Sequence, residues 1–150
     1  MTQNPNHQRN IFLVDDDQED REMFSEALFQ VNEKVMLTEL SSASKLIETL
    51  NNPATPVPEL IFMDINMPKI NGIDCLKNLK GDASKFNGIN VVMYSTYSNA
   101  DDIKEAYECG ASRYYVKPTV FNNLKDLISG ALHIDWSKIK RENFFVKYTA

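Results

Sequence analysis

Two short apolar runs of this chain end in carboxylates. Ile11-Phe12-Leu13-Val14 runs into Asp15-Asp16-Asp17, and Leu60-Ile61-Phe62-Met63 runs into Asp64. Apolar runs without polar alternation are the pattern of strands covered on both faces, as in a parallel sheet. A strand of that kind ends in acid only where something offsets the charge, because an unpaired buried carboxylate is very costly. Two such ends lying side by side make an oxygen-rich site suited to Mg²⁺, which takes one or two carboxylates, several waters and a phosphate oxygen.

The rest of the chain alternates short apolar runs with helix-period segments. Glu19 to Val31 places Met23, Ala27, Leu28 and Val31 at helical spacing, with acidic residues in the first turn, where they favour the helix dipole. Val35 to Leu40 reads as a second strand and Ser42 to Leu50 as a second helix. Pro53, Pro56 and Pro58 mark a loop, since proline cannot continue a helix or a central strand. After the third strand, Leu60 to Met63, come a turn-rich segment and a helix over Gly72 to Lys80. Ile89 to Tyr94 is a fourth strand, and Asn99 to Glu108 a helix stopped by Gly110. Ala111 to Val116 is a fifth strand, followed by a helix over Val120 to His133. Strands and helices in strict alternation predict an α/β domain on an open parallel sheet. Ligands of such sheets bind outside the carboxyl ends of the strands, where strand order reverses. Those ends carry Asp15, Asp16, Asp17, Asp64, Ser95, Thr96 and Lys117.

The 150 residues fit one domain. A net charge of −5 gives no reason to expect nucleic acid or an anionic membrane as a partner. No apolar stretch approaches the ~20 residues of a membrane span, so a cytoplasmic location is expected. Cys75 and Cys109 lack metal spacing and read as reduced packing cysteines. Residues 1–9 read as a flexible lead, 10–133 as the domain, and 134–150 as an aromatic extension too short to be an output domain. Trp136, Phe144, Phe145, Val146 and Tyr148 in that extension call for cover, either on this domain or on a second copy.

A carboxylate beside Mg²⁺, facing an ammonium and a hydroxyl, is equipped for phosphoryl transfer. Aspartate can act as a nucleophile and form an aspartyl phosphate. The transfer itself needs mainly in-line positioning and stabilised charge. Asp64 is the candidate phosphoacceptor. The candidate metal ligands are Asp16, Asp64 and the backbone carbonyl of Asn66, with Asp15 acting through water. Lys117 and Ser95 are placed to neutralise and hydrogen-bond the phosphoryl oxygens. Asp17 is read as the cap of the first helix and left out of the metal set.

Four segments, in this order and spacing, resemble the receiver domain of two-component response regulators over roughly Ile11 to His133. They are Phe12 to Asp17, Met63 to Gly72, Met93 to Thr96, and Gly110 to Pro118. The resemblance implies a flavodoxin-like, doubly wound five-stranded sheet of order 2-1-3-4-5 with five helices. It also implies that a histidine kinase or phosphotransfer protein phosphorylates Asp64 with Mg²⁺, and that Ser95 and Tyr114 switch a face binding a downstream protein. Thr96 and Tyr115 compete for those two switch positions, and the resemblance selects Ser95, where the family more often has Thr, and Tyr114. A signalling switch that assists its own phosphorylation and dephosphorylation is implied, not a metabolic enzyme, and homodimer formation stays open. One alternative is a haloacid-dehalogenase-like phosphatase, whose second acid two residues beyond the nucleophile is replaced here by Asn66. The other is a pseudo-receiver that works without phosphorylation, which the full set of site residues does not favour.

Overall fold

Every strand up to the fifth is followed by a helix, and most of the helices start on a side chain suited to capping. A computed structural model describes residues 8–148. In chain order it contains β1 (Asn10–Val14), α1 (Gln18–Val31), β2 (Met36–Leu40), α2 (Ala43–Asn51), β3 (Leu60–Met63) and α3 (Gly72–Lys80). Then come β4 (Val91–Ser95), α4 (Ala100–Glu108), β5 (Arg113–Val116), α5 (Phe121–His133) and a short β6 (Phe145–Val146). Asp17, Ser42, Asn71 and Asn99 accept backbone N–H groups from the first turns of α1 to α4. Each satisfies a donor that a helix start leaves unpaired.

All strands pair in parallel, in the order β2-β1-β3-β4-β5-β6. Alternation along each strand sorts the core into two layers. Phe12, Val14, Ile61 and Met63 pack toward α2, α3 and α4 through Leu46, Leu76 and Ala106. Ile11, Leu13, Leu60 and Phe62 pack toward α1 and α5 through Phe24, Leu28, Leu127 and Ile128. Phe24 meets Phe62 and Tyr94 edge-on at 5.0 and 5.6 Å, a favoured aromatic geometry. Met23, expected on the buried stripe of α1, is instead 46% exposed, and Phe24 is fully buried. Ala27, Leu28 and Val31 face the core as expected, and only the first position of the stripe moves, because the larger Phe24 ring fills the space over β3 and β4.

The five-stranded expectation is corrected: a sixth strand from the C-terminal extension lies beside β5. Tyr114 pairs with Phe145 and Tyr115 with Val146, and the Tyr114 N–H donates to the Phe144 carbonyl at 2.8 Å. The physical reason is an edge. Without β6, β5 would present unpaired backbone groups to solvent. The extension thus docks on the domain's own sheet. Trp136 is buried and donates to the Ala131 carbonyl at 3.0 Å, and Arg113 donates to the Lys140 carbonyl at 3.0 Å. The Arg141 guanidinium stacks 3.6 Å over the Tyr107 ring of α4 and donates to the Tyr107 carbonyl.

At the other end, residues 1–7 of the expected flexible lead lie outside the described residues. Arg9, the last residue of that lead, is anchored. It pairs with Glu59 at 2.8 Å and donates to the Leu132 carbonyl at 2.9 Å. No helix among the described residues is long and apolar enough to cross a membrane.

The buried Phe144 ring, edge-on to Tyr107 at 5.1 Å, makes the extension part of the core. Phe144→Ala should lower unfolding stability by about 3 kcal/mol in urea melts, in the usual range for a buried Phe. An unchanged midpoint would mean that the extension leaves the sheet in solution.

Candidate functional site

The carboxyl ends of β1, β3 and β5 are pinned to their neighbours by backbone hydrogen bonds. The Asp15 N–H donates to the Leu40 carbonyl at 2.9 Å, the Asp64 N–H to the Val14 carbonyl at 2.9 Å, and the Lys117 N–H to the Ser95 carbonyl at 2.8 Å. Three residues far apart in sequence are thereby fixed along one rim, with Asp15 and Asp64 at the β1/β3 boundary where the strand order reverses.

Carboxylate oxygens of Asp15, Asp16 and Asp64 lie within 4.8 Å of one another. Asp15 and Asp64 are buried and Asp16 is exposed. Lys117 reaches across from β5 with a side chain only 7% exposed, its Nζ 2.7 Å from Asp15, 2.8 Å from Asp20 and 3.4 Å from Asp64. Asp15 is the most constrained of these acids. One oxygen takes Lys117 and the other accepts the Asp17 N–H at 2.9 Å. Arg21 of α1 adds a bond to the Asp15 carbonyl at 2.7 Å.

The charges have unequal effects. Burial pushes the Asp64 carboxyl up to about 6; the Lys117 charge opposes this, the Asp15 charge adds to it, and the Asn66 backbone N–H holds it down. For Lys117 burial works against the charged form. The hydrogen bonds to Asp15 and Asp20, with the charges of Asp64 and Asp15, outweigh burial and raise the ammonium above its ordinary value.

The donor set fits a hard divalent cation. Asp16 and Asp64 can offer oxygens directly. Asp15, with both oxygens occupied by protein donors, suits a contact through water. Among the described residues no backbone N–H donates to the Asn66 carbonyl, which leaves that oxygen available. The approach of α3 is close as well: a Cβ on Gly72 would lie 2.0 Å from the Asp64 carbonyl oxygen. Only glycine permits that contact, so Gly72 sets the path of the loop carrying Asn66.

Ser95 is buried and Thr96 exposed, so of the two hydroxyls only Ser95 faces inward. Its Oγ accepts the Tyr97 N–H at 3.2 Å. The Tyr114 hydroxyl donates to the Tyr97 carbonyl at 2.5 Å, so both the N–H and the carbonyl of Tyr97 are held. Tyr114 belongs to the core layer under α3 and α4, whereas Tyr115 belongs to the layer under α1 and α5. Asp17 caps α1, apart from the acidic trio. The sequence reading missed Asp20, whose charge it assigned to the helix dipole; its place on the first turn of α1, directly after the acidic end of β1, was the available signal.

A doubly wound α/β protein with an acidic rim bridged by one lysine is the class this geometry defines. The chain matches the response regulator receiver domain over residues 11–129, and it belongs to that family. It is similar to the response regulator Rcp1 of Synechocystis, at 30% identity over 131 residues, 85% of this chain and 86% of Rcp1. Regulatory protein AtoC of Escherichia coli is 28% identical over 128 residues, 85% of this chain. The chain spans only 26% of the length of AtoC, and 46% of the transcriptional regulatory protein PrrA of Mycobacterium leprae. Among solved structures, the phosphorylated cyanobacterial phytochrome response regulator RcpA superposes with a TM-score of 0.77 and 26% identity, covering 88% of this chain and 96% of RcpA. The Mn²⁺-bound form of Rcp1 gives 0.74 and 25%, covering 88% and 97%.

The raised Asp64 value has a consequence for stability. The folded protein holds the Asp64 proton more tightly than the unfolded chain, whose value is 3.8. The Asp64 contribution to stability is therefore complete below about pH 4 and lost as pH rises through about 6. In chelator-treated protein, Asp64→Asn should be more stable than the parent at pH 7–8 by about 1–3 kcal/mol. The difference should vanish at pH 4, as urea melts across that range will read; a gain independent of pH would contradict the burial argument.

Proposed function

We propose that this chain is a phosphorylation-driven switch in which Asp64 accepts a phosphoryl group from a histidine kinase or phosphotransfer protein. The observation that carries the reading is the convergence of Asp15, Asp16 and Asp64 on one rim with Lys117 across from them. A phosphorylated RcpA and a Mn²⁺-bound Rcp1 of the same fold support it.

In this reading an Asp64 oxygen forms a bond to phosphorus while the phosphorus–nitrogen bond of the donor histidine breaks. Asp16, Asp64 and the Asn66 carbonyl would hold Mg²⁺, with Asp15 contributing through water. The cation, when bound, offsets the charge of the carboxylates and of the incoming oxygens. Lys117 binds a phosphoryl oxygen, and the Ser95 hydroxyl donates to another. The reaction changes the chain's own state and serves signalling, not turnover of a metabolite.

The switch follows from the hydrogen bonds around Tyr97. A Ser95 hydroxyl drawn to the phosphoryl group turns away from the Tyr97 N–H, and the carbonyl of the same residue holds the Tyr114 hydroxyl. The Tyr114 ring is buried in this structure, so the rearrangement centres on the Tyr97 backbone and not on entry of the ring. Tyr114 pairs in turn with Phe145 of β6, their ring centroids 6.1 Å apart, so the altered surface includes the extension as well as α4 and β5. A downstream protein reads that surface. Phosphorylation adds roughly −1.5 to −2 charge at the rim, and a shift from 1:99 to 99:1 requires it to favour one state by ~5.5 kcal/mol.

Asp64→Asn should abolish labelling by acetyl phosphate and capture of beryllofluoride. Asp17→Asn, which retains a capping side chain, should label as the parent does. Intact-mass spectrometry separates the outcomes, and persistent labelling of the Asp64 variant would take the phosphoacceptor role from that residue. Catalytic release of phosphate from small esters would instead favour the phosphatase alternative.

A further inference from the structure

The Lys117 ammonium has three N–H donors and three carboxylates around it, so a phosphoryl oxygen must displace one of them. Asp15 is fully buried and fixed through its other oxygen by the Asp17 N–H, so it cannot withdraw into water. Asp64 is already the most distant partner, at 3.4 Å. Asp20 differs from both: its side chain is 36% exposed and, at 2.8 Å from Nζ, stands on the first turn of α1 at the solvent side of the rim. Its carboxylate can be rehydrated at little cost.

We propose that Asp20 is a positioning residue that competes with the phosphoryl group for Lys117, holding the ammonium toward α1 until phosphorylation draws it to Asp64. This rests on the phosphoacceptor reading above. It assigns Asp20 a role in setting how readily Asp64 is modified, outside the metal set.

The test is calorimetric titration of beryllofluoride into the full chain at saturating Mg²⁺, with Mg²⁺ titrated alone as a second measurement. Asp20→Asn should bind beryllofluoride about two- to five-fold more tightly than the parent, the size of one partly exposed ion pair. Asp20→Ser should do the same if the first variant folds poorly. Asp20→Glu, which keeps the charge within reach, should stay near the parent, as should Glu19→Gln, which removes a neighbouring charge that makes no bond to Lys117. Mg²⁺ affinity should change less than beryllofluoride affinity. Unchanged or weaker beryllofluoride binding in the Asp20 variants overturns the proposal. An equal gain in Glu19→Gln would reduce Asp20 to general charge, and an equal change in Mg²⁺ affinity would make it act on the metal; either overturns the proposal too. If the parent itself fails to bind beryllofluoride, the phosphoacceptor reading falls and takes this one with it.

Discussion

One ammonium is shared by three carboxylates, and the rim of this protein depends on that arrangement. Asp15 and Asp64 follow strands that are apolar apart from Asn10, so their charges sit where little water reaches them. Among the described residues no other side-chain cation pairs with either carboxylate. Lys117 can serve both because β5 is two strands away from β3 and its backbone is tied to Ser95, which aims the side chain back across the rim. The compensation is incomplete, as the raised Asp64 value records. An acidic rim with too little positive charge favours the arrival of a divalent cation.

Few residues separate that rim from the far edge of the sheet. Ser95 holds the Tyr97 N–H and Tyr114 the Tyr97 carbonyl, and Tyr114 lies beside the strand formed by the extension. The same extension is fastened to α4 by Arg141 and Phe144 against Tyr107. It closes an edge that would otherwise recruit a neighbouring strand. Tyr107 and Phe145 are exposed where α4 meets the extension.

Much of this was legible in the residues. The apolar runs of β1 and β3 tolerate no other placement than a doubly covered sheet, and the capping of α1 by Asp17 follows from its position before a helical pattern. Helix faces were less legible: Met23 and Phe24 are neighbours, both apolar, and only the shape of the space above β3 and β4 chooses between them. Two-residue β6 has no periodicity of its own, so its existence follows from the open side of β5 and not from its local sequence. Arg9 looks like part of a polar lead until Glu59 and the Leu132 carbonyl are seen beside it.

The sequence by itself determined the alternation of strands and helices, and with it the gathering of Asp15, Asp16, Asp64, Ser95 and Lys117 at one end of a parallel sheet. Hydrophobic period and strand-end chemistry are local properties, and the rules linking parallel strands leave few other arrangements. The tertiary structure alone decided how the Lys117 ammonium is divided among its acids, that Asp20 is one of them, and that the extension completes the sheet. Those outcomes depend on distances between segments up to a hundred residues apart, set by how the layers pack and not by the residues on either side.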